Sequence, residues 1–197
     1  MTDLLAIPAD VQDLLFREAR TANSFTDEPV TDEQLAAIYE LTKFGPSAMN
    51  TQPLRVVAIR SGEAKEKLLK HMAGGNRDKT ETAPLTVILA ADTNFHDTLP
   101  RTFPHFPGAR DMFLDDDART EAALFNATLQ AGYFIVGVRA AGLAAGPMTG
   151  MDVAGINADV LPDHLKAVMV VNIGHPGENA WFDRLPRLER DEAVIEL

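Results

Sequence analysis

The sequence predicts an α/β or α+β domain with helices packed on a sheet, and three observations carry that prediction. Two runs, LRVVAIR (residues 54–60) and PLTVILAA (84–91), read as strands, and the second is too apolar to leave either face in water. A third run, KAVMVVNIG (166–174), repeats the pattern near the C-terminus. Helical spacing of apolar residues fills the intervals, and neither a linker nor an internal repeat divides the 197 residues. One domain of this length buries about 70% of its unfolded surface.

The elements follow in order. Val11, Leu14, Leu15 and Ala19 share one face behind Asp10, which predicts a first helix over residues 10–19. Thr31 and Gln34 form a capping-box pattern ahead of Leu35, Ile38, Leu41 and Phe44, and Gly45-Pro46 stops that second helix. After the first strand, Ser61 is placed to cap a helix through AKEKLLK (64–70), which Gly74-Gly75 should end. The segment NRDKTETA (76–83) then leads into the second strand.

Residues 92–116 hold Pro100, Pro104 and Pro107 among Phe95, Phe103, Phe106 and Phe113, which predicts a folded excursion rather than a flexible linker. From 117 to 141 the pattern is helical and apolar around most of its circumference, interrupted by Arg119, Glu121, Asn126, Gln130 and Arg139. Those interruptions argue against a membrane span and suit a helix buried in a dimer or a large core. Gly142 ends it, and GPMTG (146–150) reads as a loop.

Composition narrows the chemistry. A net charge of −11 opposes binding to nucleic acid or anionic membrane. The absence of cysteine excludes disulfides, thiolate metal sites and a cysteine nucleophile, so redox chemistry would need a bound cofactor. The first ten residues carry aspartates where a signal peptide needs basic residues, so a cytoplasmic protein is expected. Neither G-x-G-x-x-G nor G-x-x-x-x-G-K-[ST] occurs, and no serine lies in G-x-S-x-G. His71, His96, His105, His164 and His175 lack metal-binding spacing, and Asp115 to Asp117 reads as a helix cap; no metal site is expected.

Polar loops beside helices remain, and two of them stand in an informative order. ARTANSF (19–25) followed by PSAMNTQP (46–53) resembles the opening of the FMN-dependent nitroreductase family, R-R-S-x-R-x-F and then P-S-x-x-N-x-Q-P. The resemblance continues through Asn76-x-x-Lys79, the Pro147 to Gly150 segment and Arg184-Leu185-Pro186. LPRTFPH (99–105) and GPMTG are most similar to the malonic semialdehyde reductases within that family.

The resemblance implies an α+β nitroreductase-like fold with a central, mainly antiparallel or mixed sheet and an intertwined homodimer. It implies FMN as cofactor, NADPH or NADH as co-substrate, and ping-pong transfer of a hydride through flavin N5 to a small molecule. Arg20 and Thr21 would hold the FMN phosphate or ribityl end, with Arg184 and Arg187 reaching the phosphate, where guanidinium forks suit the oxygens. Asn76 and Lys79 would meet the polar edge of the ring, and Met148, Thr149 and Gly150 would approach N5. Pro46, Ser47 and Asn50 would face the flavin across a subunit boundary, with Gln52 and Pro53 fixing that loop.

Two residues depart from the pattern: Ala19 and Asn23 stand where basic residues are common in the family, so the resemblance implies fewer ionic contacts to the cofactor. The excursion over 92–116 is expected to cover the flavin, with Arg101, His105 and Arg110 as candidates to meet a substrate carboxylate. Two other readings compete with a malonic semialdehyde reductase: a reductase of nitroaromatics and quinones, and a flavin-binding module without turnover.

Overall fold

The computed structural model describes residues 5–60 and 62–197, and the fold is α+β around one antiparallel sheet. The chain enters through α1 (Ala9–Gln12), which continues as a π-helical turn over Asp13–Arg17. The helix therefore stops short of the expected residue 19. The carbonyls of Arg17 and Ala19 are taken instead by the Arg184 guanidinium, reaching from the C-terminal segment. Asp10 is not the cap; it lies in the first turn, where its carboxylate suits the helix dipole.

The predicted capping box opens α2 (Asp32–Thr42): Gln34 N donates to Thr31 Oγ1 at 3.2 Å, and Thr31 N donates to Gln34 Oε1 at 2.8 Å. β1 (Leu54–Ile59) and α3 (Gly62–Lys70) follow; the predicted cap, Ser61, lies outside the described residues. Gly74-Gly75 does not close that helix. It opens a new one, α4 (Gly74–Thr82), so Asn76 and Lys79 are helical rather than loop residues. Ala73, in extended backbone at the N-cap, is anchored by its N–H to Gly150 O at 3.1 Å, a tertiary contact invisible to local sequence rules.

β2 (Leu85–Asp92) is buried along its whole length, as its composition predicts. The excursion is folded: 3₁₀ turns at Phe95–Thr98 and Ala109–Phe113 flank the short helix α5 (Leu99–Thr102), and Phe95, Leu99 and Ala109 pack on the start of α6 (Asp116–Ala140). Asp115 caps α6 by accepting from Ala118 N at 2.8 Å. The expected GPMTG loop is partly a strand, β3 (Ala144–Met148). Pro147 is tolerated there because β3 is an edge strand with one side of its backbone free of the ladder. The helix α7 (Val153–Asp159), β4 (Leu165–Gly174) and a final turn, α8 (Arg190–Ala193), complete the chain.

The strand order is β1-β2-β4-β3, with every pair antiparallel. Side chains alternate across β2: Leu85, Val87 and Leu89 meet Ile38 of α2 and Phe134 and Val138 of α6, whereas Ile88 and Ala90 meet Leu68 of α3 and Ile156 of α7. Both sheet faces are thus covered. The helices leave the two sheet edges to loops, and the candidate residues gather there.

Candidate functional site

At the β3 edge, Ala22 N donates to Ala145 O at 2.9 Å, so residues 19–25 run beside the strand. Gly146 makes that approach possible, since a Cβ there would sit 2.7 Å from Ala22 O. Arg20, Thr21 and Asn23 line a cleft of about 230 Å³ with Phe182, Asp183, Arg184, Leu185 and Arg187. The N-terminal and C-terminal motifs, far apart in the chain, are therefore adjacent in space. Asn23 joins them by donating to Ala180 O at 3.3 Å.

Helix α4 adds the next pair. Lys79 Nζ donates to Asn23 Oδ1 at 2.7 Å, and Asn76 Nδ2 donates to Gly150 O at 3.1 Å. Thr149 and Gly150 are exposed, while the Met148 side chain is buried in the core with Met72 and Ile156. Only its backbone is therefore on the site side. Asn23, a departure from the family pattern, accepts the ammonium of Lys79 in place of carrying a charge itself.

The charges of this group are weakly compensated. Among the described residues Lys79, Arg184 and Arg187 have no carboxylate within 4.0 Å, and Arg20 has only Glu18, at 4.0 Å. The Arg20 guanidinium lies 5.7 Å from the Trp181 ring centroid, and its buried Nε has no hydrogen-bond partner among the described residues. Four cations thus gather at one edge of a chain of net charge −11, and guanidinium and ammonium groups so placed have the donor chemistry for an anion with several oxygens.

The second group lies at the β1 edge, on the other side of the sheet. Met49, Asn50 and Gln52 all take positive φ, at 51°, 51° and 45°. That backbone is held from outside: Ala48 N donates to Asn126 Oδ1 at 2.7 Å and Leu54 N to Gln130 Oε1 at 3.1 Å. Asn126 and Gln130, one turn apart on α6, were expected only as polar interruptions. Ser47 Oγ accepts from Gln52 N at 3.0 Å, and Asn50 Nδ2 donates to Thr102 O at 2.7 Å. Pro46 is exposed beside them.

Asn50 and Gln52 open onto a cleft of about 910 Å³ between α2, β1 and α5, which Arg55, Lys43 and Arg101 also line. Arg55 pairs with Asp92 and Lys43 with Glu40, whereas Arg101 has no carboxylate within 4.0 Å among the described residues. Arg110 is elsewhere, paired with Asp97 through Nε at 3.0 Å and Nη2 at 2.9 Å. His105 is exposed, its ring 3.9 Å from that of Phe103. His96, behind Arg110, has its pKa lowered by burial, with Arg119 and Arg110 adding to the effect and Asp97 and Asp92 opposing it.

Three strand spacings, about 14 Å, separate the two edges. The single chain brings Arg20, Thr21, Asn23, Asn76, Lys79, Thr149, Gly150, Arg184 and Arg187 into one region, and leaves Pro46, Ser47 and Asn50 in another.

An antiparallel sheet covered by helices on both faces, with a cationic cleft at one edge, defines a single α+β domain. The comparisons with known proteins are more specific: the chain belongs to the nitroreductase family, whose profile matches residues 16–175. A Streptomyces griseus protein provisionally named NADH dehydrogenase/NAD(P)H nitroreductase is 62% identical over 191 residues, covering 96% of this chain and 97% of its own. A Caulobacter vibrioides protein of the same name is 46% identical over 181 residues, covering 91% and 93%. In fold, a protein from Exiguobacterium sibiricum provisionally named a nitroreductase and solved in complex with FMN superposes with a TM-score of 0.83 at 20% identity, covering 96% of this chain and 98% of its own.

Among the described residues no helix is long and apolar enough to cross a membrane.

Proposed function

We propose that the protein is an FMN-dependent oxidoreductase that takes its reducing equivalents from NADH or NADPH and passes them to a small oxo acid, such as malonic semialdehyde. The observation that carries the cofactor assignment is the under-compensated cation group at the β3 edge with its orphaned Arg20 Nε. The donor set fits FMN: guanidiniums for a phosphate dianion, a hydroxyl at Thr21, and an amide and an ammonium at Asn76 and Lys79 for a polar ring edge. FMN, when bound, would accept a hydride at N5 from the nicotinamide and release it to the second substrate.

The protein's own residues have three tasks in this reading. Arg20, Thr21, Arg184 and Arg187 bind the phosphate end. Lys79, held by Asn23, keeps positive charge near the ring, where it would favour a reduced, anionic flavin. The exposed Thr149-Gly150 backbone leaves room for close approach to the reacting face.

A homodimer completes the site. Pro46, Ser47 and Asn50 lie across the sheet from the cation group, so they would reach the cofactor of a second copy rather than their own. Exposed apolar side chains support the pairing: Phe125, Leu129 and Tyr133 recur every four residues along α6, and Tyr39, Leu41 and Phe44 stand on or just after α2.

The reaction assigned to the oxo acid converts the aldehyde, NAD(P)H and a proton to 3-hydroxypropionate and NAD(P)⁺. Arg101, without a carboxylate partner among the described residues and lining the larger cleft, is the better candidate to meet the substrate carboxylate; Arg110 already has Asp97. A second reading, a reductase of nitroaromatics and quinones, is favoured by the names of the relatives.

Comparing kcat/KM for malonic semialdehyde with that for an uncharged quinone separates the two. Arg101→Ala should lower the ratio at least about 10-fold, the loss of one charge-assisted contact, and Arg110→Ala should leave it unchanged. Parallel loss of both activities in Arg101→Ala, or no loss, would favour the broader reductase.

A further inference from the structure

The short helix α7 has one face built around a side chain that the reading above does not use. Asp152, the N-cap, Gly155 and Asp159 fall at i, i+3 and i+7, so they share one side of the helix. The His71 ring, from the turn after α3, lies across that side. Its Nε2 is 2.8 Å from Asp159 Oδ2, and its Nδ1 is 3.7 Å from Asp152 Oδ2.

Gly155 provides the notch. A Cβ at this position would fall on the His71 ring and 2.6 Å from Asp152 Oδ2, so any larger residue must displace the imidazole or the helix. Asp152 Oδ1 also accepts from Gly155 N at 3.0 Å, which ties the cap to the notch.

The backbones of the same two segments run together. Asp152 N donates to His71 O at 2.7 Å, Met72 and Met151 form a β-bridge, and Ala73 N donates to Gly150 O at 3.1 Å. Gly150 O also accepts from Asn76 Nδ2. The carbonyl of Gly150 is thereby fixed by two donors, one at the N-cap of α4 and one in its first turn. The amide that binds it is a proposed cofactor contact.

We infer that His71 is a positioning residue: seated in the Gly155 notch between Asp152 and Asp159, it locks α7 against the start of α4 and so sets the Thr149-Gly150 backbone and the Asn76 amide relative to the bound cofactor. This rests on the assignment of that edge to FMN. The imidazole acts through the helix and touches neither substrate nor cofactor.

Apoprotein titrated with FMN, read by quenching of flavin fluorescence, tests the inference when thermal unfolding is followed in parallel. His71→Ala and Gly155→Ala should each weaken FMN binding about 3- to 10-fold and alter the visible spectrum of the protein at saturating FMN. In the double variant the methyl added in the notch meets no ring and only the exposed Asp152 carboxylate must shift, so Gly155→Ala should add less to His71→Ala than it costs alone. His71→Gln, whose amide can still donate to Asp159, should restore both affinity and spectrum.

Asp159→Ala changes an exposed side chain and serves if the His71 variants do not fold; it should shift affinity in the same direction. Arg184→Ala is the control for the assignment of the edge. If Arg184→Ala weakens FMN binding while folded His71, Gly155 and Asp159 variants retain wild-type affinity and spectrum, the positioning role is overturned. Lower melting temperatures with unchanged affinity would overturn it equally, leaving a purely structural contact. If Arg184→Ala also has no effect, the FMN assignment itself fails, and the inference with it.

Discussion

Arg184 shows how one side chain serves both the fold and the proposed site. Its guanidinium has no carboxylate partner among the described residues, yet it donates to the carbonyls of Arg17 and Ala19 and so fixes the C-terminal segment beside Arg20. Arg184→Ala should weaken FMN retention roughly 10- to 100-fold, the equivalent of about 1.5–3 kcal/mol for a charge-assisted contact, and leave the core intact. Equilibrium dialysis against FMN, with circular dichroism to follow the fold, measures both. At this scale the sequence was most legible where chemistry is spelled out by residue type: Arg20, Thr21, Arg184 and Arg187 share one cleft. It was least legible for Arg101 and Arg110, identical in type, which the position of Asp97 and the lining of the larger cleft distinguish.

At the scale of elements, local signals succeed where the cause is local. The capping box at Thr31 and the Asp115 cap of α6 form as written because both partners lie within four residues. They fail where a distant group decides. Gly74-Gly75 is a helix stop by local rules, but the N–H of Ala73 meets Gly150 O and Thr80 is buried in a chain of hydrogen bonds with Asn172 and Thr86, so the segment is held as α4. Pro147 reads as a turn residue, and only the sheet order reveals that it occupies an edge.

Asn126 is the least predictable case. Its Oδ1 accepts from Ala48 N while its Nδ2 donates to Ala122 O, so one amide links α6 to the loop that bears Ser47 and Asn50. Asn126→Ala removes the hydrogen bond to the N–H of the exposed Ala48, which costs about 0.5–1.5 kcal/mol and corresponds to a fall in Tm of roughly 1–6 °C. Calorimetry of the variant checks this; an unchanged Tm would mean that Gln130, Ser47 and Asn50 hold the loop without Asn126.

At the scale of the whole molecule, the core is complete within one chain and the proposed function is not. Both sheet faces are covered, but Phe125, Leu129 and Tyr133 remain in water, and the C-terminal segment leaves Leu185, Leu188 and Ile195 exposed. In the proposed homodimer a second copy would cover these surfaces and bring the two edges into one site.

Anaerobic titration of the purified, FMN-loaded protein with NADH and with NADPH tests the central claim most directly. The account predicts that at least one of the two bleaches the yellow absorbance in proportion to the flavin bound, and that malonic semialdehyde restores it. A protein that retains no FMN, or whose bound FMN neither nucleotide reduces, would contradict it.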